Sequence, residues 1–154
     1  MKLIFSCAAL AFLFAGCGES SNQPSPAAAK ETVRTDAAPI AKRLPNLGQL
    51  QSVWWTSTQV TTDSALSPPS QPAYKVRGFA QLEKGKADEL SQQFQWQRTP
   101  SGWKPALTVT NLNLDSTEWS QSAAFTKDCK PQQIPGELFF ERQKGIVYFD
   151  LEIE

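Results

Sequence analysis

The chain has 154 residues, enough for one ordinary domain, and its 15 basic residues balance 15 acidic ones. No Lys/Arg run exceeds the pair Lys42-Arg43, so the electrostatic footprint of a nucleic-acid binder is missing and DNA and RNA are set aside as partners. Histidine is absent altogether. That removes Ser-His and Cys-His nucleophile pairs, most zinc sites and the imidazole proton shuttle, and leaves carboxylates, Lys, Tyr or Cys for any catalysis. No glycine-rich phosphate cradle occurs and no cofactor is expected.

The chain opens with Lys2 and an apolar run from Leu3 to Phe14, the layout of a signal peptide. As a helix, Leu3 to Gly16 would reach roughly 21 Å, short of the ~30 Å hydrocarbon core, so it does not span a membrane. The junction Leu13-Phe14-Ala15-Gly16-Cys17 resembles the lipobox of bacterial lipoproteins. The resemblance covers the first 17 residues, and Phe14 stands where leucine is commonest. It implies that Cys17 is alkylated by diacylglycerol, acylated further with palmitate-like chains, and made the new N-terminus. Several buried chains, at about 0.8 kcal/mol per CH₂, would anchor the protein stably. Gly18 in place of aspartate after the cysteine points to the periplasmic face of the cell outer membrane.

Residues 1–16 are thus read as leader and 17–46 as lipidated cysteine plus linker. Ser, Ala, Pro, Asn and Gln dominate that linker, with Pro24, Pro26, Pro39 and Pro45 and few large apolar side chains. A linker of this length has an r.m.s. reach of about 30 Å, with room for a short helix around Ala27 to Thr35.

Residues 47–154 carry all five tryptophans and read as the folded domain. Short alternating runs between turn signals predict a mainly β fold, a small antiparallel sheet forming a sandwich or partly open barrel. Strands are expected at Val53–Thr62, Ala73–Leu82, Leu90–Arg98, Trp103–Leu112, Glu137–Arg142 and Ile146–Ile153. A loop over Glu83 to Glu89 would set Gly78 against Phe94 and Val76 against Trp96. A turn at Thr99-Pro100-Ser101-Gly102 would set Phe94 against Leu107, giving a meander with an aromatic over bare Gly78. A turn at Arg142-Gln143-Lys144-Gly145 pairs Phe140 with Val147 and Leu138 with Phe149, leaving Glu137, Phe139, Glu141, Ile146, Tyr148, Asp150, Glu152 and Glu154 on a more polar face. Asp115 with Glu118 three later predicts a short helix to about Thr126, with Trp119 and Ala123 against the sheet.

Cys129 has no partner in its own chain once Cys7 leaves and Cys17 is lipidated. It is a buried inert thiol, a disulfide to another protein, or a redox group favoured by Lys127 and Lys130. Asp150, Glu152 and Glu154 lie ~6.8 Å apart along one strand face, a poor metal geometry and by default a solvated surface. For a glycosidase pair, Glu83, Asp88, Glu89, Glu118, Glu137 and Glu141 are raw material with nothing to select among them. Trp54 and Trp55 must point to opposite sides of a strand, so Trp55 is either core or an outward anchor. Phe139 and Tyr148, opposed on the last hairpin, either pack under a cover or form a binding patch. The function expected is non-catalytic: a module bound to the membrane by its lipid and to an envelope protein by its β-domain. A periplasmic inhibitor or immunity-type protein, and a carboxylate-dependent cell-wall hydrolase, are the alternatives.

Overall fold

The computed structural model describes residues 32–60, 73–114 and 118–153. The fold is mainly β: six antiparallel strands in one open sheet, with short helices against it. The elements run α1 (Ala38–Arg43), a 3-10 turn (Pro45–Leu47), β1 (Leu50–Val60), β2 (Ala73–Leu82), α2 (Lys84–Gln93), β3 (Gln97–Arg98), β4 (Trp119–Gln121), α3 (Ala123–Cys129), β5 (Gly136–Glu141) and β6 (Ile146–Ile153). The strand order is β1-β2-β6-β5-β4-β3.

The last hairpin follows from its sequence. Gly145 takes φ 64°, a left-handed value that glycine adopts without steric cost, and closes the turn. Alternation then sets Phe140 opposite Val147 and Leu138 opposite Phe149. β2 has the expected bounds, but its neighbours are β1 and β6. The meander through Leu90–Arg98 is therefore corrected. Leu90 and Phe94 are spaced for one face of a helix as well as for a strand, whereas Ala87, three before Leu90, shares their face only in a helix. Here Lys84–Asp88 and Lys86–Glu89 ion pairs at helical spacing support α2, which buries Ala87 and Leu90. Gly78 is still covered by an aromatic, but by Phe149: a β-carbon there would lie 2.5 Å from Phe149 Cζ and 2.6 Å from Trp55 Cβ.

Trp103–Leu112 is not a strand. The alternation of Trp103, Leu107 and Val109 does put one side down, since Leu107 and Val109 are buried, but the segment crosses the sheet as an irregular cover with no ladder. Pro105, with no N–H to donate, sits inside it. The helix expected from Asp115 is displaced as well. Asp115, Ser116 and Thr117 lie outside the described residues, Trp119–Gln121 is strand, and α3 starts after Ser122, whose Oγ accepts from Phe125 N at 3.4 Å. Trp119 is buried in the sheet, whereas Ala123 is exposed.

The folded part begins before Leu47. Arg34 bridges to Trp55, and Ile40, Leu44 and Leu47 are fully buried. Their spacing of four and three residues is one helical stripe, which the surrounding Pro and Ala obscure.

The sheet thus has two differently covered faces. On the helical face, α1, α2 and α3 close over Trp55, Phe140, Phe149 and their neighbours, with Trp96 against Phe125 and Phe140 at ring distances of 4.9 and 5.1 Å. On the opposite face the 103–114 segment covers Phe79, Trp119, Phe139, Ile146 and Tyr148.

Candidate functional site

Beyond the edge of that cover, the second face opens into a cleft of about 330 Å³. Phe139, Tyr148 and Trp103 supply its aromatic wall, with Trp103 and Phe139 rings 4.1 Å apart and Phe139 and Tyr148 rings 6.0 Å apart. Ala106 N donates to Tyr148 Oη at 3.2 Å, which ties the cover to the floor. Lys75, Lys104, Glu137, Asp150 and Glu152 complete the lining.

Register explains this grouping. Arg77, Asp150 and Glu137 form one cross-strand row over β2, β6 and β5, and Lys75 stands beside Glu152 in the next. Arg77 Nε donates to Asp150 Oδ2 at 3.1 Å, while Lys75 Nζ lies 3.6 Å from Asp150 Oδ1 and 3.9 Å from Glu152 Oε1. Arg77 and Lys75 meet Asp150 and Glu152 as opposite charges, while Glu137 stands beside Asp150 as a like one, so the cleft presents both signs within one Debye length. Glu137 and Lys104 are exposed at its mouth.

Phe139 and Tyr148 are brought together as the last hairpin requires, but at 5% and 2% exposure they are a floor and not a protruding patch. They pack under the 103–114 cover. Trp55 is elsewhere. It is 5% exposed on the helical face, its Nε1 donates to Asp36 O at 3.0 Å, and the Arg34 guanidinium lies 4.7 Å above its ring. An outward anchor is thereby corrected to a core residue, and the adjacent Trp54 takes the other face.

Cys129 is a free thiol, 1% exposed, at the end of α3. Burial, with Asp128 adding to it and Lys86 opposing, pushes its pKa up to about 12. Of the three readings this is the buried thiol: its thiolate is disfavoured despite Lys127 and Lys130 nearby in sequence, and an incoming sulfur has no access.

The remaining carboxylates divide by use. Asp88, Glu89 and Glu118 pair with Lys84, Lys86 and Arg98. Glu141 is buried and accepts from Gln143 N at 3.2 Å and Lys144 N at 2.5 Å, holding the β5–β6 turn. Glu154 lies outside the described residues. Cys17 and the leader do as well. Among the described residues, no group of three or more His, Cys, Asp or Glu is placed to hold a metal, and no helix is long and apolar enough to cross a membrane.

Sequence reasoning reached the Phe139–Tyr148 pair but missed Lys75, Trp103 and Lys104. Those come from a different hairpin and from the cover, and nothing local in the sequence links them to the last strands. No protein-family model, curated protein or solved structure matches this chain.

Proposed function

We propose that this chain is a cell-envelope lipoprotein, anchored by lipid on Cys17 at the periplasmic face of the outer membrane, whose β-domain binds a protein partner without catalysis. The observation that carries the binding role is the cleft over Trp103, Phe139 and Tyr148, rimmed by Lys75, Lys104, Glu137 and Glu152. Its volume of about 330 Å³ is at the small end for a ligand pocket, and suits one or two partner side chains better than a cofactor. An apolar floor within a rim of both charges is the anatomy of a small protein interface, where the floor gives affinity and the rim gives orientation.

Truncating Trp55 or Phe139 would disturb the core, so the test belongs at the rim. A photo-reactive amino acid placed at Lys104 should cross-link one discrete envelope protein, and Glu137→Lys should remove that product while the same probe at Gln92, on α2, gives none. Equal products from both positions would refute the cleft as the contact. For the anchor, a clickable fatty acid should label the wild type and not Cys17→Ala.

One observation favours a second reading. Glu137 stands directly opposite Asp150 in the cleft, so their β-carbons are about 4.5–5.5 Å apart, a separation from which carboxyl groups can reach retaining-glycosidase spacing. Against this, both Asp150 oxygens already face Arg77 and Lys75. Clearing of peptidoglycan by wild type and not by Glu137→Gln would establish the hydrolase.

A further inference from the structure

The charges beside the cleft leave one carboxylate over. β2, β6 and β5 run side by side, and their facing residues form the rows Arg77-Asp150-Glu137 and Lys75-Glu152. Both cations stand on β2, and the anions they pair with stand on β6. Glu137 stands on β5, two strand spacings or about 9–10 Å from β2, so Arg77 and Lys75 are taken up by the nearer carboxylates. Among the described residues Glu137 makes no ion pair, and its carboxylate accepts no hydrogen bond. It faces Asp150 directly, and like charges directly opposite on neighbouring strands repel. Lys104 is exposed on the cover and lines the same cleft, yet it pairs with none of the described carboxylates.

The next row along the same face is aromatic. Phe79, Tyr148 and Phe139 are each two residues from Arg77, Asp150 and Glu137, and so share their side of the sheet. Trp103 lies over Phe139 at 4.1 Å and is only half-buried, so its ring is the one within reach of a guest. A carboxylate without a counter-charge, beside a reachable tryptophan ring, is complementary to a cation, which gains from both.

We propose that the group entering the cleft is an arginine side chain of the protein partner, and that Glu137 selects it. The inference rests on the cleft being the contact with a protein partner, and adds the chemistry of the group that fills it. Arginine fits better than lysine, because its guanidinium is planar, weakly hydrated, forks onto a carboxylate and stacks on an aromatic face. The volume of about 330 Å³ suits a single side chain of this kind. A guest cation would also relieve the repulsion between Glu137 and Asp150, which no cation of the described residues does from the β5 side.

The probe is Nα-acetyl-arginine amide, titrated into the isotope-labelled full-length chain in an uncharged detergent and followed by amide shifts. Shifts are expected at Trp103, Glu137 and Tyr148. The citrulline analogue has the same shape without the charge, and should bind about tenfold or more weakly, because a hydrogen bond to a charged group is lost. Glu137→Gln should lose as much while its melting temperature holds or rises, since the like-charge contact with Asp150 is gone. Glu83→Gln, at an exposed carboxylate outside the cleft, should bind as the wild type does. Lys104→Met should strengthen binding by about two- to fivefold, because a like charge leaves the mouth. Nα-acetyl-lysine amide should bind more weakly than the arginine compound. No binding, equal binding of the citrulline or lysine compound, or binding untouched by Glu137→Gln would overturn the proposal. So would a loss with Lys104→Met, which would mean that the guest presents an anion to the cover. Cross-linking from position 104 without arginine binding would refute this inference and leave the partner reading standing. Arginine binding with no cross-link would do the reverse.

Discussion

The two faces of the sheet bury comparable aromatic side chains by different means. The helical face is roofed by α1, α2 and α3, whose inner main-chain groups pair within the helix while their end groups need other partners, as Phe125 N finds in Ser122 Oγ. The other face is roofed by the irregular 103–114 segment, which must find partners for its main chain elsewhere. It finds some in Tyr148 Oη, which accepts from Ala106 N, and in Lys144 Nζ, which donates to Asn113 O at 2.8 Å. Space remains under it, a groove of about 820 Å³ from Gly102 to Leu114, and the charged row lies open beside it. The helical side has openings of its own, about 490 Å³ beside α3 and 410 Å³ beside Arg43, but only the irregular cover leaves openings walled by aromatic side chains. That is why the candidate site is on this side.

The largest effect should come from the sealed side. Phe140→Ala removes a fully buried ring packed on both Trp96 and Phe125, and should cost about 3–5 kcal/mol in urea unfolding. Trp103→Ala, half-buried in the cover, should cost about 1–2 kcal/mol because part of its area is already in water. Equal costs would erase the contrast between the faces. Gly78→Ala comes next, at about 1–3 kcal/mol by thermal unfolding. Its new methyl meets Phe149, Trp55 and the Trp54 carbonyl within contact distance, and a strand backbone has little freedom to yield.

Glu141→Ala tests a buried polar group at the end of the hairpin. Two turn amides would lose their acceptor, an expected loss of about 1–3 kcal/mol, and Glu141→Gln should recover part of it through one remaining oxygen. Arg77→Met on the open row should cost less than about 1 kcal/mol, since Arg77 and Asp150 are still 28% and 26% exposed and water screens the pair. A larger loss there would mean that the row is structural and not merely a rim.

The hairpin register was legible in the sequence because one shift would have put Glu141 against Val147, and Gly145 marked the turn. The polar reading of its outer face was half right. Asp150, Glu152 and Glu137 remain at the surface, but Ile146 and Tyr148 are buried under a cover whose alternation imitates a strand, and Glu141 is buried against its own turn. Leu90 and Phe94 fit both periods, Ala87 joins their face only in a helix, and the long-range pairing of β2 with β6 removes the strand partner they would have needed. The stripe Ile40, Leu44 and Leu47 was hidden by its composition. The cleft was half visible: Phe139 and Tyr148 face each other across one local hairpin, while Lys75, Trp103 and Lys104 join them only through tertiary structure.

Cys129 gives the finest test of how well the helical roof seals, and the smallest effect at neutral pH. Its folded pKa, about 12, lies above the ordinary value of 9.0, so the folded state holds the proton more tightly than the unfolded one. The stabilisation is complete below about pH 9 and is lost as pH rises toward about 12, because there the unfolded thiol ionises first. The urea midpoint of the wild type should therefore fall across that window more steeply than that of Cys129→Ala, with little difference between them at pH 7. A maleimide at pH 7 should leave native Cys129 unlabelled and modify it in denaturant, whereas a cysteine introduced at Lys104, on the mouth of the cleft, should react at once in the native protein. Rapid native labelling at Cys129 would mean that the helices open as readily as the irregular cover, and the difference between the two faces would lose its physical basis.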